Sequence, residues 1–267
     1  MNLPKKIAII GSGNIGTAIY KGIKKTGKYR ASDFTLTRRR LEMIDVDEEE
    51  GVIITRDNIA AVKSSDLIIL TVLPKQLFNI LDEIAPALDS SKILVSVVTA
   101  YSIQEIKEKT GKDVPVILAM PNTAITVSES MTCLASQRED EEKLEIIKEV
   151  FDLVGEVLVI PERLIGASTI LAACGVAFFI RYIRAASQGG IQTGFHASEA
   201  QFIAAQTAKG AAKLLLESGS HPEAEIDKVT TPMGCTIAGL NEMEHNGMSS
   251  ALIKGIVTSY NELIKLK

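Results

Sequence analysis

Two short stretches of this 267-residue chain hold residue types and spacings suited to chemistry at an anion, GSGNIG at 11–16 and VTTPMGCT at 229–236. In the first, Gly11, Gly13 and Gly16 match G-x-G-x-x-G directly after the apolar run IAII. The first glycine permits a tight turn, the second lets backbone approach a pyrophosphate, and the third lets a helix pack on a strand. Ser12, Asn14 and Ile15 complete the turn, and the helix start faces its amides toward the anion. The pattern alone is common; following a predicted strand and opening a helical pattern, it favours dinucleotide binding over a purely structural glycine turn.

The residue closing the second strand should choose between the nicotinamide cofactors. An acid there holds a ribose 2′-hydroxyl, whereas this chain offers Thr37-Arg38-Arg39-Arg40. A hydroxyl and guanidiniums suit a 2′-phosphate, so Thr37, Arg38 and Arg39 predict NADPH, with NADH the weaker ligand. The other reading makes the arginines a solvated helix start, paired with Glu42 and the acidic run 45–50. VLPK (72–75) and MPNT (120–123) follow predicted strands, which puts Val72, Leu73, Pro74, Met120, Pro121 and Asn122 on loops along the crevice. Pro74 and Pro121 also read as simple strand terminators.

The second stretch places a Pro-x-Gly turn before a helical run. Such a turn leaves the amides of Gly234, Cys235 and Thr236 unpaired, and with the helix dipole they make a small anion site that fits a carboxylate. The Thr236 hydroxyl can orient a polar atom of the same molecule. Thr236 as a helix N-cap is the competing reading.

These stretches need elements to hold them. IAIIG (7–11), FTLT (34–37), LIILTV (67–72), ILVSVV (93–98), VILAM (116–120), MTCLA (131–135) and VLVI (157–160) read as strands. Helical patterns cover 15–25, 76–88, 102–110 and 141–155 between them. That alternation predicts an α/β fold, a Rossmann-type doubly wound parallel sheet. Beyond Pro161 only helices are predicted, at 163–188, 198–218, 222–228, 236–244 and 248–266. The chain thus divides into a nucleotide-binding domain, 1–160, and an all-α domain, 161–267.

With 46% hydrophobic residues and a formal net charge of −4, the composition argues against a nucleic-acid partner. Leu164–Ile180 is uncharged but diluted by small residues, which favours burial against another subunit over a membrane span. Cys133, Cys174 and Cys235 are dispersed, with no disulfide framework or metal site in view, and fit a reducing cytoplasm. His196, His221 and His245 stand at predicted helix ends, where capping or solvent contact is expected rather than catalysis.

From GSGNIG, Asn58, VLP, MPNT and V-T-T-P-M-G-C-T leading into I-A-G-L-N-E-M-E-H-N-G, the chain resembles the Δ1-pyrroline-5-carboxylate reductase family over nearly its full length. The resemblance implies NADPH-dependent reduction of 1-pyrroline-5-carboxylate to L-proline by an enzyme whose helical half interlocks with its twin. The homodimer's further assembly is left open. It implies that Gly234, Cys235 and Thr236 hold the substrate carboxylate, with Val229 and Thr231 in the same loop, and that Thr236 is the catalytic residue bonding the ring nitrogen. Asn58, Val72–Pro74 and Met120–Asn122 would line the nicotinamide side.

The departures are Pro232-Met233-Gly234 for Pro-Gly-Gly, Val72-Leu73-Pro74 for V-K-P, Ala124 after Met120–Thr123 where the family has proline, and 173–177 for G-S-G-P-A. Another NADP-dependent oxidoreductase of the Rossmann-plus-helical type, with Lys209 or Lys213 as the basic residue, or a non-catalytic NADP-binding regulator remain as alternatives.

Overall fold

The first half of the chain supplies runs of branched apolar residues too short for helices, and the computed structural model pairs them into one sheet. It describes residues 3–46 and 51–265. Residues 47–50 of the acidic run, and Leu266 of the last predicted helix, lie outside them.

The strands are β1 (Ile7–Ile10), β2 (Phe34–Thr37), β3 (Ile53–Thr55), β4 (Leu67–Leu70), β5 (Ile93–Ser96), β6 (Val116–Met120), β7 (Ser130–Ser136) and β8 (Gly155–Val159). Their order is β3-β2-β1-β4-β5-β6-β7-β8. Because the central strands are covered on both faces, they read as continuous apolar runs. Alternate residues divide between two cores. Ile7, Ile9, Leu36 and Ile69 pack with Ile19, Tyr20 and Ile23 of α1 (Asn14–Lys25) on one face. Ala8, Ile10, Ile68 and Leu70 pack on the other face. There they meet Val62 of α2 (Asn58–Lys63), Leu77 and Leu81 of α3 (Leu77–Ile84), and Ile103 and Ile106 of α4 (Ile103–Thr110).

The Rossmann-type sheet stands as expected, with one correction: it is mixed rather than wholly parallel. β7 runs antiparallel to β6, and β8 is parallel to β7. The physical reason is the connection. Only residues 121–129 join β6 to β7, wound partly as a 3₁₀ turn at Thr123–Val127. A parallel return needs a crossover of a dozen or more residues. After β7, α5 (Glu141–Asp152) provides such a crossover to β8.

The remaining helices are α6 (Ile165–Ser168), α7 (Gly175–Gln192), α8 (Ala197–Ser218), α9 (Pro222–Val229), α10 (Cys235–His245) and α11 (Met248–Ile264), with a π-helical stretch at Thr169–Cys174. Two compact units result, one holding the chain through Cys174 and again from Tyr260, the other Gly175–Ser259. His196 and His221 sit at the N-caps of α8 and α9, and Nδ1 of His221 accepts from the Glu223 amide at 3.3 Å.

Gly22 joins α1 to the turn after β6, since a Cβ there would lie 2.4 Å from the Ile125 carbonyl oxygen. Gly22→Ala should therefore lower stability by about 1–3 kcal/mol through overpacking. Thermal unfolding beside wild type measures this; an unchanged midpoint would show that the turn yields freely.

Candidate functional site

The turn after β1 is shaped by its neighbours. Gly11 adopts φ +92°, and a Cβ on it would meet Val72 Cγ1 at 2.5 Å. Its amide and that of Ser12 both donate to the Thr37 carbonyl, at 3.1 and 2.8 Å. The Ser12 hydroxyl donates to the Ile9 carbonyl at 3.2 Å, so this buried side chain serves the turn itself. At Gly16 a Cβ would come within 2.6 Å of Thr71 Oγ1, which is how closely α1 approaches the residue just past β4. Gly13 differs: its nearest neighbour would be 3.8 Å away, leaving open backbone at the N-cap of α1. The amides of Asn14, Ile15 and Gly16 then begin the helix ahead of any intrahelical acceptor.

A cleft of about 630 Å³ opens at this turn. Of the residues the sequence singled out, Gly11, Gly13, Thr37, Arg38, Arg39, Asn58, Val72 and Leu73 share its wall, together with Arg40 from the same arginine run. Ser12, Asn14, Ile15 and Gly16 lie in the adjoining turn and first helical residues. Pro74 begins the 3₁₀ turn 74–76, where its carbonyl accepts from the Tyr101 hydroxyl at 3.0 Å.

Met120, Pro121 and Asn122 are buried at the end of β6 and are not in this wall. Asn122 uses both ends of its side chain, accepting from Ala124 N at 2.9 Å and donating to the Ala172 carbonyl of the π-helical stretch at 3.3 Å.

Sequence reasoning passed over Met43, Arg56, Gln76, Ile80 and Glu83, which also line the cleft. Gln76, Ile80 and Glu83 recur at helical spacing around α3, a signal that was readable. Arg56 follows β3, a strand too short to stand out. Among the described residues, Arg39 and Arg40 make no ion pair, and Asp45 is engaged by Lys21 at 2.6 Å. One hydrogen-bonded chain crosses the wall. Thr37 Oγ1 donates to Asn58 Oδ1 at 2.6 Å, and Asn58 Nδ2 donates to both Glu83 oxygens at 3.1 Å. Asn58 is thereby held in one amide orientation.

The loop between α9 and α10 is a tight turn. Gly234 N donates to the Thr231 carbonyl at 2.9 Å across Pro232 and Met233, and Met233 has φ +61°. Proline followed by a left-handed residue is the type II arrangement, which normally demands glycine at the second position. Met233 adopts that backbone despite its side chain, which is wholly exposed. At Gly234, a Cβ would stand 2.5 Å from Thr231 Oγ1.

One expectation is corrected: the Gly234 amide is consumed by the turn. The amides of Cys235 and Thr236 head α10, which has no side-chain cap. The N-cap is Gly234, so Thr236 is the second residue of the helix, with its side chain exposed. Val229 closes α9, and it and Thr231 are exposed as well.

Comparison with known proteins agrees with the fold. Residues 6–100 match the family model described as NADP oxidoreductase coenzyme F420-dependent, and 162–266 the model for pyrroline-5-carboxylate reductase dimerisation. The chain is 48% identical to pyrroline-5-carboxylate reductase 1 of Dictyostelium discoideum, over 97% of this chain and 49% of that one. It therefore spans about half that relative's length. To pyrroline-5-carboxylate reductase 2 of the same organism it is 46% identical, over 96% of this chain and 91% of that one. A crystal structure of Plasmodium falciparum pyrroline carboxylate reductase with NADP bound has the same fold, with a TM-score of 0.86 at 21% identity and 97% of each chain covered.

A glycine-turn cleft on a Rossmann-type sheet, in a segment that matches an NADP oxidoreductase model, places the chain in the class of Rossmann-type dinucleotide-binding proteins. Within that class the chain belongs to the pyrroline-5-carboxylate reductase family.

The left-handed Met233 generates a prediction. Met233→Val, which puts a β-branched residue at positive φ, should cost about 1–3 kcal/mol, whereas Met233→Gly should not destabilise. Chemical denaturation of both variants checks this; equal stability of Val and Met would show an unstrained turn.

Proposed function

We propose that this chain reduces the cyclic imine 1-pyrroline-5-carboxylate to L-proline with NADPH, the final step of proline biosynthesis. The observation that carries the reading is 46% identity to a pyrroline-5-carboxylate reductase across almost the whole of both chains. The cofactor assignment is supported by the nucleotide family model, by the NADP held in the Plasmodium relative, and by the cleft itself. Its open backbone at Gly13 admits a pyrophosphate, while arginines 38–40 and Arg56 suit a 2′-phosphate. Bound there, the nicotinamide supplies the hydride that the imine carbon accepts.

The chain's own part is positioning. The Cys235 and Thr236 amides, with the dipole of α10 behind them, hold the substrate carboxylate, with Val229, Thr231 and Gly234 forming the rest of the loop. The Thr236 hydroxyl bonds the ring nitrogen and so orients the C=N bond. The ring nitrogen is already partly protonated near neutral pH, so no strong protein acid is required. On the cofactor side, Thr37 and Asn58 line the cleft with Val72 and Leu73, while Pro74 and Met120–Asn122 shape the loops beside it. Met233 supports a working enzyme over a non-catalytic cofactor-binding protein, because its backbone keeps the turn that glycine would make.

We assign a homodimer to the helical half. Phe179, Ile180, Phe202, Leu214 and Leu216 are exposed on α7 and α8, large apolar side chains that a second copy would take out of water. The helical run Glu162–Gln192 is long and apolar enough to cross a membrane by length and composition. The match of 162–266 to a dimerisation model favours a second protein copy as its cover. The three free cysteines suit a cytoplasmic protein.

Purified protein should consume NADPH absorbance when given 1-pyrroline-5-carboxylate, and Thr236→Ala should lose about 10- to 100-fold in turnover. No turnover with NADPH binding intact would retire the substrate. Phe202→Glu should shift the solution mass from dimer toward monomer in light scattering, and an unchanged dimer mass would place Phe202 outside the interface.

A further inference from the structure

We propose that Arg56 is a specificity-determining residue that grips the 2′-phosphate of the cofactor, a task the sequence assigns to the run after β2. The inference rests on the NADPH reading above and deepens it. Thr37 and Thr55 are register partners on β2 and β3, and Arg38 N donates to the Thr55 carbonyl at 3.4 Å. Residues 38 and 56 therefore leave adjacent strands side by side at the carboxyl edge of the sheet, where such folds bind their ligands.

The two guanidiniums are used differently. Nη1 of Arg38 donates to the Met43 carbonyl at 2.6 Å and to the Ser12 carbonyl at 3.3 Å, while Nη2 lies 3.8 Å from Met43 Sδ. Arg38 thus clamps the glycine turn to the 41–43 turn, and much of its fork is committed to backbone. Within the described residues, Arg56 is held at its root alone, by Nε donating to the Arg39 carbonyl at 3.0 Å. Among the described residues, neither of its terminal nitrogens has a partner.

An anchored Nε with two free Nη groups presents a planar fork, the geometry that binds phosphate in bidentate fashion. Arg39 and Arg40 share the wall with no such anchor among the described residues, so they would lose more side-chain freedom on binding. Glu83, the acid in the same wall, accepts from Asn58 with both oxygens and makes no ion pair with Arg56.

The test is calorimetric titration of the full chain with adenosine 2′,5′-bisphosphate and with adenosine 5′-monophosphate, for wild type, Arg56→Ala and Arg56→Lys. Wild type should prefer the bisphosphate. Arg56→Ala should weaken the bisphosphate about 10- to 100-fold while leaving the monophosphate within about twofold, and Arg56→Lys should recover part of the loss. A bisphosphate preference undiminished in Arg56→Ala overturns the role of Arg56 and leaves the NADPH reading standing. A parallel loss for both nucleotides makes Arg56 structural and overturns the proposal. Equal binding of the two nucleotides by wild type overturns the NADPH reading, and the assignment of Arg56 falls with it.

Discussion

Gly11 has no room for a side chain, and the cleft follows from that. Its left-handed backbone sits against Val72, and the turn is tied to both strands that flank β1. Gly11 and Ser12 donate to the end of β2, while Thr71 Oγ1, just past β4, donates to the Gly11 carbonyl at 3.0 Å. The strand order reverses between β1 and β4, the place where open α/β sheets leave a crevice. Fixing one residue against two neighbours therefore fixes where the crevice opens, and arginines from the ends of β2 and β3 line it.

The helical half solves a parallel problem with a different residue. A glycine would make the turn before α10 without strain; this chain has Met233 there and retains the positive φ. What holds the conformation is the Gly234 to Thr231 hydrogen bond together with the missing Cβ at Gly234, which leaves Thr231 Oγ1 its space. The dihedral angle is retained where the residue type is not. Two amides at the head of α10 stay available because the third closes the turn.

Much of this was legible in the sequence. The long apolar strands, the glycine turn, the arginine run and the helix boundaries are local patterns with local causes, and they appear close to where they were expected. The misses come from features that local pattern does not encode. β3 is three residues long and is recruited by pairing with β2, so Arg56 carried no sign of being at a strand end. The reversal of β7 is a matter of connection length, not of strand composition. The hydrogen bonds of Asn122 are equally invisible to local pattern, since one reaches a π-helical carbonyl 50 residues away. The open amides before α10 were overcounted because a turn's own hydrogen bond consumes its last N–H.

The position of β1 also bears on how quickly the cleft can form. It is the first strand in the chain, yet its partners come from 34–37 on one side and 67–70 on the other. The glycine turn cannot mature as a local unit, because the residue that crowds Gly11 arrives some sixty positions later. Contacts of that sequence separation are entropically expensive to close, so folding of this half should be paced by docking of β4 rather than by growth of α1. A nascent chain would show its helix early and become able to bind a nucleotide only once Val72 is in place.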